Sequence, residues 1–338
     1  MEPYYYNQMS KAQRTAYHAM KTGLVSLAPS FPVPRLENHE LSDIFFKLRL
    51  DCPEIYYAVG FHYRFFPDSG NVEMIPEYLF EKGKIKEHQK AMKARVEKLC
   101  RPAQSLAERD KEQYIHDFIC THVHYDKLKK PYSHEIIGPL GQGVGVCEGI
   151  AKTVKILCDN LGIWCMIAIS DSNPDKNIKY RHAWNVIKSG GMYYHLDATF
   201  DNTLSDGDMV RYDYFNLDDK QIFRDHEPVI YKVPQCSDGE KFYYREKKLS
   251  FTKTEDVQKR ALQAIRKGKP LLFHWRGGYL TREVLSELLK LLEGTARQKG
   301  KHARTGLNWP QAVLHVTFIE EAQPEELVVE EANEGERQ

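Results

Sequence analysis

The stretch from residue 141 to residue 199 constrains the fold more than any other part of the chain. It opens with a glycine-rich turn, Gly-Gln-Gly-Val-Gly-Val-Cys147, and from Cys147 onward apolar residues recur at the spacing of one helix face. Gly162 follows the last of them, as expected for a residue that ends a helix. The pattern predicts an amphipathic helix of about four turns whose first turn carries Cys147.

The residues after this helix predict an antiparallel sheet beside it. Residues 163–169 form an unbroken apolar run, which is typical of a buried strand. Residues 182–187 and 192–200 read as two strands of a hairpin, joined across a glycine-containing turn at 188–191. A helix packed on a sheet of this kind indicates an α+β fold.

The length of that turn decides which side chains face each other across the hairpin. A two-residue loop at 189–190, or a four-residue loop at 188–191, places His182 directly opposite Asp197. A loop at 190–191 leaves Asp197 diagonal to His182 on the same face of the sheet. A three-residue loop without a bulge would separate the two side chains onto opposite faces. Directly opposite side chains are close enough for a hydrogen bond between imidazole and carboxylate.

Cys147, His182 and Asp197 are the residue types of a catalytic triad. Unpaired N–H groups and the positive dipole end at a helix start stabilise an anion, which favours a nucleophilic thiolate there. His182 would act as the base, and Asp197 would hold its imidazole. The alternative for Cys147 is a small buried residue without chemistry. Asn185 is a second candidate for the orienting residue, but it lies on the other face of the strand.

Three segments carry a resemblance to a known family: Gly-Val-Cys147-Glu-Gly-Ile-Ala, His182-Ala-Trp-Asn and Tyr-His-Leu-Asp197-Ala-Thr-Phe. In this order and spacing they resemble the transglutaminase-like superfamily of papain-type cysteine enzymes, with its bacterial members, over residues 110–230. The resemblance implies a papain/transglutaminase-like core in which Cys147 is the nucleophile, His182 the base and Asp197 the orienting carboxylate. Because the family includes cross-linking enzymes, peptidases, amidases and inactive scaffolds, the resemblance leaves the reaction open.

Three further residues are candidates for the site. Gln142 precedes Cys147 by five residues, where a side-chain amide can donate to an oxyanion beside the Cys147 backbone N–H. Papain-like enzymes place a glutamine a little before their cysteine; the alternative is a solvated loop glutamine. Trp184 and Tyr194 flank the hairpin and are candidates for the wall of a substrate groove, although aromatic residues on strands more often pack in the core.

The sequence predicts no cofactor and no metal site. The glycine-rich turn lacks the GxGxxG spacing and a following Lys-Ser or Lys-Thr, so it does not indicate a nucleotide site. His122 and His124 would lie on one face of an extended segment, but no further zinc ligands are assignable to them. The Asp-Gly-Asp at 206–208 lacks the length and the terminal glutamate of a calcium loop.

Composition and pattern divide the chain into four parts. Residues 1–105 predict a helical lead-in with one hairpin, and residues 106–250 the catalytic core. Residues 251–319 follow an α-β-α-β pattern, which indicates a small α+β module. Residues 320–338 are rich in glutamate and predict a disordered acidic tail.

The overall composition limits the class of partner and compartment. The formal net charge is +1, so we expect no electrostatic attraction to nucleic acid or to an anionic membrane. No apolar run approaches the roughly 18 residues of a membrane span, and we expect no signal peptide at the N-terminus. The seven cysteines are scattered without a paired spacing, which is typical of reduced thiols in a cytoplasmic protein.

These observations predict a cytoplasmic cysteine enzyme that transfers acyl groups from peptide or side-chain amides through a thioester, with a protein or peptide as substrate. Water as the acceptor would make it a peptidase or amidase, and an amine would make it a transglutaminase. The rival hypothesis is a non-catalytic scaffold or protein-binding module that keeps the fold. The presence of all three triad residues favours the enzyme, since a scaffold needs none of them.

Overall fold

The computed structural model describes residues 3–205 and 209–320, and the chain forms two compact units, Met1–Tyr243 and Tyr244–Gln338. The boundary predicted between residues 250 and 251 lies shortly after this division. The Asp-Gly-Asp at 206–208 and the predicted acidic tail, apart from Glu320, lie outside the described residues.

The first unit holds helices α1–α8 and strands β1–β9 in its described part. The helices are α1 (Tyr4–Asn7), α2 (Lys11–Val25), α3 (Asn38–Asp51), α4 (Lys82–Cys100), α5 (Glu108–His122), α6 (Cys147–Leu161), α7 (Ala198–Leu204) and α8 (Asp219–Ile222). The strands are β1 (Phe31–Pro34), β2 (Ala58–Phe65), β3 (Asn71–Tyr78), β4 (His124–Tyr125), β5 (Val144–Gly145), β6 (Cys165–Ser170), β7 (His182–Ser189), β8 (Met192–Leu196) and β9 (Phe215–Leu217).

An antiparallel sheet in the order β6-β7-β8-β9 lies beside helix α6. Strand β6 is buried along its whole length, as its apolar run predicts. On β7, the Asn185 side chain donates to the backbone carbonyl oxygen of Ala151 on α6 at 3.0 Å. This face of the strand therefore packs on the helix, and His182 belongs to the opposite face. The predicted α+β fold, with the cysteine helix on an antiparallel sheet, is confirmed.

Helix α6 begins and ends where the sequence predicts. Gly162 closes it with a φ angle of 78°, a conformation that glycine adopts without strain. At the other end, Gly149 lets a neighbouring loop approach closely: a Cβ at this position would lie 2.2 Å from the carbonyl oxygen of Ser133. A larger residue at 149 would push that loop away from the first turn of the helix.

The β7–β8 hairpin turns at residues 190–191. Both are glycines with positive φ angles, 58° and 87°, as in the tight hairpin turns that glycine favours. The turn pairs Ser189 with Met192, the register that leaves Asp197 diagonal to His182. The two registers that place these side chains directly opposite each other are therefore wrong.

Strand β8 is shorter than predicted. It ends at Leu196 instead of residue 200, because Asp197 starts helix α7. One carboxylate oxygen of Asp197 accepts hydrogen bonds from the backbone N–H groups of Thr199 (2.9 Å) and Phe200 (3.1 Å). This cap satisfies N–H groups that a helix start leaves unpaired, so the chain leaves the sheet at this point.

The N-terminal residues share one hydrophobic core with the sheet that carries His182. Buried side chains from Met9 to Phe215 form a single cluster. A second antiparallel sheet, in the order β1-β3-β2, contains the predicted hairpin. The compact units therefore do not divide at residue 105, where the sequence analysis separates the lead-in from the core.

The second unit is a small α+β module around its own core. The short helix α9 (Tyr243–Glu246) begins at the last residue of the first unit. The other elements are α10 (Thr254–Lys267), α11 (Arg282–Arg297), β10 (Ser250–Phe251), β11 (Leu271–Trp275), β12 (Lys301–Asn308) and β13 (Val313–Glu320). The strands form one sheet in the order β10-β11-β13-β12. Within the described residues of both units, no helix combines the length and apolar character that a membrane crossing requires.

Candidate active site

Cys147 occupies the first turn of α6, and its side chain is partly exposed. Its sulfur lies 4.0 Å from the carbonyl oxygen of Arg181, the residue that precedes β7. The unpaired N–H groups of a first helical turn favour negative charge at such a position. The structure therefore places Cys147 at the helix start that the sequence predicts, next to the strand that carries His182.

His182 and Asp197 form a direct hydrogen bond although they do not face each other in the hairpin. The Nε2 atom of His182 donates to Oδ2 of Asp197 at 2.6 Å. The Asp197 side chain is fully buried, whereas the His182 side chain remains 19% exposed. The diagonal register brings the two side chains together because Asp197 turns out of the strand as the cap of α7.

Charge interactions favour the imidazolium form of His182. Burial opposes a charge there, but the Asp197 carboxylate and a hydrogen bond with Cys147 outweigh it and raise the pKa of His182 to about 10. Burial likewise acts to raise the pKa of Asp197, but His182 holds that pKa well below its ordinary value. At neutral pH the pair is therefore an imidazolium and a carboxylate. Because Nε2 is bound to Asp197, the other ring nitrogen, Nδ1, is the one that remains for the thiol.

His226 belongs to the same cluster, and the sequence analysis missed it. Its Nε2 atom donates to Oδ2 of Asp197 at 2.8 Å, the oxygen that also accepts from His182. The His226 ring is buried and lines the same cleft as Cys147. It lies in a loop beyond α8, outside the three motif segments, so no local pattern pointed to it.

His226 connects the cluster to a second carboxylate. Its Nδ1 atom donates to Oδ1 of Asp225 at 2.9 Å, and the Tyr214 hydroxyl donates to the other oxygen of Asp225. Both ring nitrogens of His226 thus face carboxylate oxygens, so the imidazolium is the form that satisfies both hydrogen bonds. The result is a row of alternating charge that runs from the partly exposed His182 through the buried Asp197 and His226 to Asp225.

The cluster opens onto a cleft of about 380 Å³. Cys147, His182 and His226 line it together with Tyr125 on β4 and residues 178–181 before β7. Its volume lies in the range of pockets that bind ligands. Cys147, His182 and His226 are therefore accessible from solvent through a defined cavity.

Gln142 does not line this cleft. It ends the turn Gly138–Gln142, and its side chain is exposed. The exposed side chain fits the alternative of a solvated loop glutamine, and the role of Gln142 as an oxyanion donor stays a prediction. The backbone N–H groups at the start of α6 are donors beside Cys147 that do not depend on Gln142.

Trp184 and Tyr194 are core residues, so the prediction that they line a groove is wrong. They are 1% and 0% exposed, and neither lines the cleft. The Trp184 indole donates to Nδ1 of His195 at 3.0 Å, and its ring stacks on His182 with a centroid distance of 5.8 Å. Tyr194 donates its hydroxyl to Asp238. Trp184 therefore supports the His182 ring from the protein interior.

Buried ion pairs anchor the first turns of α6. Lys152 is fully buried and lies 2.8 Å from Glu135 and 2.7 Å from Glu148. Arg49 forms a further ion pair with Glu135. Burial acts to raise the pKa of Glu148, but Lys152 leads the charges that hold it well below its ordinary value. Removing one partner would strand a buried charge at a cost of about 3–5 kcal/mol, so these pairs fix the helix start.

Two groups among the described residues bring three possible metal ligands together. The first group is His182, Asp197 and His226, in which both imidazoles already donate to the Asp197 carboxylate. The second is His195, Asp219 and Cys236. There Trp184 donates to Nδ1 of His195, so Nε2 carries the proton that His195 donates to Asp219 at 2.9 Å. This nitrogen has no free lone pair for a metal in that arrangement.

A comparison with family models identifies the region around the cluster. Residues 93–198 match the model of the transglutaminase-like superfamily, and the match includes Cys147, His182 and Asp197. The resemblance carried by the three motif segments is confirmed, and this region is a transglutaminase-like domain. No curated protein sequence matches the chain.

Two solved structures are similar to part of the chain. One is the crystal structure of a TGase, with 11% identity, 42% of this chain and 44% of that chain covered, and a TM-score of 0.28. The other is a Cytophaga hutchinsonii protein provisionally described as a cysteine protease, with 14% identity, 42% and 62% covered, and a TM-score of 0.27. The chain thus spans less than two thirds of either protein.

Proposed function

We propose that this protein is a cysteine-dependent enzyme that transfers acyl groups from peptide or side-chain amide bonds through a thioester. The observation that carries the proposal is the row Cys147, His182 and Asp197, which starts at a helix N-terminus and opens onto a cleft. A nucleophile, an acid–base group and an orienting carboxylate within reach of a substrate are the parts that this reaction needs.

The geometry supports a two-step reaction. In the first step the sulfur of Cys147 bonds to the amide carbonyl carbon, the carbon–nitrogen bond breaks, and the His182 imidazolium gives its proton to the leaving nitrogen. The N–H groups at the start of α6 stabilise the developing oxyanion. In the second step water or an amine attacks the thioester, His182 takes a proton from it, and the thiolate of Cys147 leaves.

The substrate class and the compartment are part of the same proposal. A protein or peptide is the proposed acyl donor, and the acceptor is water in a peptidase or amidase and an amine in a transglutaminase. All seven cysteines are free thiols, which supports a reducing, cytoplasmic compartment.

Alkylation by iodoacetamide, mapped by mass spectrometry, tests the activated thiol before any substrate is known. Cys120 is the matched control, because it and Cys147 are the two cysteines that are partly exposed. We expect Cys147 to react at least about tenfold faster than Cys120 at pH 6, and to lose this advantage in His182→Ala. Equal rates for the two thiols in the wild-type protein would contradict the proposal and favour the non-catalytic scaffold.

The acceptor is then identified with a panel of glutamine-containing and asparagine-containing peptides, incubated with and without a primary amine. A product that contains the amine identifies a transglutaminase, and a cleaved or deamidated peptide identifies a hydrolase. Cys147→Ala is the control for both products. If no peptide is modified by the wild-type protein, it gives the same result as Cys147→Ala. That outcome would contradict acyl transfer from these amides.

A further inference from the structure

The Asp197 carboxylate receives hydrogen bonds from two backbone amides and from two different imidazoles. Oδ1 accepts from the N–H groups of Thr199 and Phe200, and Oδ2 accepts from His182 and His226. The backbone amides already fix the orientation of the carboxylate, so His226 is not needed to orient it. What His226 adds is a second positive partner on the oxygen that holds His182.

We propose that His226 is a positioning residue whose hydrogen bond to Asp197 makes the His182 imidazolium a stronger acid toward the leaving nitrogen. A carboxylate oxygen shared by two cations holds the proton of each less tightly than it would hold one alone. Without His226, Asp197 would retain the proton on His182 more strongly and slow its delivery. This inference rests on the proposed acyl transfer, because that reaction is where the acid is used.

Charged and titratable groups surround His226. They are Asp225 from its own loop, Asp197 from the start of α7, His182 from β7, His195 from β8 and Tyr214 from the segment before β9. Burial acts to lower the pKa of His226, but the hydrogen bonds to both carboxylates outweigh it and the pKa is raised. The charge of His182, whose ring centroid lies 5.3 Å away, acts in the opposite direction. Because this repulsion is mutual, a charge on His226 also favours loss of the His182 proton.

The titration of His182 tests the inference without any substrate. The full chain is labelled with ¹³C-histidine, and the ring signal of His182 is identified as the one that is absent from His182→Gln. The pH midpoint of its titration is then compared between the wild-type protein and His226→Gln. The glutamine keeps a neutral hydrogen-bond donor of similar length but removes the positive charge of His226. His134→Gln is the matched control, because His134 lines the same cleft and binds Glu148 rather than Asp197.

We expect the His182 midpoint to rise by about 0.5–1 pH unit in His226→Gln and to stay in place in His134→Gln. Asp225→Asn gives an independent variant, since it removes the carboxylate that keeps His226 charged; the His182 midpoint should rise there too, by less. An unchanged or lower midpoint in folded His226→Gln, or in Asp225→Asn if the first variant does not fold, would overturn the inference. The experiment measures the titration midpoint of His182 and needs no catalytic turnover. Its result is therefore independent of the alkylation test of Cys147.

Discussion

Among the clusters of a cysteine, a histidine and an aspartate in the described residues, two share helix α7 and differ in access to the cleft. The cleft cluster is Cys147, His182 and Asp197. The buried cluster is named for its fully buried His116 and Asp201 and also contains the partly exposed Cys120. Nε2 of its imidazole lies 3.6 Å from the sulfur and 3.0 Å from a carboxylate oxygen. Helix α7 carries both aspartates, one as its cap and the other one turn later. Both clusters thus lie in the first compact unit and meet at one short helix.

The two cysteines lie at opposite ends of their helices. Cys147 is on the first turn of α6, where the helix dipole favours a thiolate. Cys120 is on the last turn of α5, where the same dipole opposes negative charge. Neither His116 nor Cys120 lines the cleft. Cys120 is partly exposed, but its cluster therefore lacks both the position at a helix start and the opening onto the cleft that Cys147 has.

The two imidazoles also differ in their second ring nitrogen. In His182 one nitrogen is bound to Asp197 and the other remains for the thiol. In His116 one nitrogen donates to Asp201 and the other to Asp117 at 3.3 Å, so both face carboxylates. The other carboxylate oxygen of Asp201, Oδ1, accepts from the backbone N–H groups of residues 213 and 214. The buried cluster thus ties α7 to the segment before β9, which indicates a structural role for it.

The largest expected difference is between His182→Gln and His116→Gln. In His182→Gln we expect the alkylation rate of Cys147 at pH 6 to fall by about 10²-fold, because the thiolate loses its counter-charge. In His116→Gln we expect that rate to stay within about threefold, while the free energy of unfolding falls by about 3 kcal/mol because a buried carboxylate loses its partner. Iodoacetamide kinetics and urea unfolding measure the two effects. If both variants slowed alkylation equally, the division between a chemical and a structural cluster would be wrong.

The pH dependence of stability gives a smaller effect. The pKa of His182 is about 10 in the folded protein and about 6.5 in an unfolded chain. Its charge therefore stabilises the fold fully below about pH 6.5, and this contribution is lost as the pH rises through about 10. We expect the wild-type protein to exceed His182→Gln by a few kcal/mol at pH 6 and by clearly less at pH 10, measured by urea unfolding. A difference that does not change with pH would show that His182 is not held as an imidazolium.

Local patterns predicted the cleft cluster well. The start of α6, the buried strand β6 and the pairing of His182 with Asp197 follow from helical spacing, an apolar run and a short turn. These features depend on residues that are close together in the sequence, so local sequence patterns predict them. The register was open because two adjacent glycines permit more than one turn, and the carboxylate of Asp197 decided where the strand ends by capping α7.

Features that depend on distant segments were not predictable in this way. His226 reaches Asp197 from a loop beyond α8, and His116 reaches Asp201 from a helix that precedes the motif segments. Trp184 lies inside because the face of β7 opposite α6 is covered as well, which the alternation along one strand does not reveal. The positions of these side chains are set by tertiary packing, for which one sequence gives no periodic signal.

The smallest expected effect is that of Cys120→Ser, and it tests whether the two clusters are independent. Serine has nearly the volume of cysteine and keeps a donor beside His116, so we expect the free energy of unfolding to change by less than about 1 kcal/mol. The alkylation rate of Cys147 should stay within about twofold of the wild-type rate, since Cys120 contacts His116, which binds Asp201 and not Asp197. A tenfold loss would mean that a change at Cys120 reaches Asp197 through the single helix that carries both aspartates. In that case the buried cluster would set the geometry of the cleft cluster, and the two would have to be treated as one site.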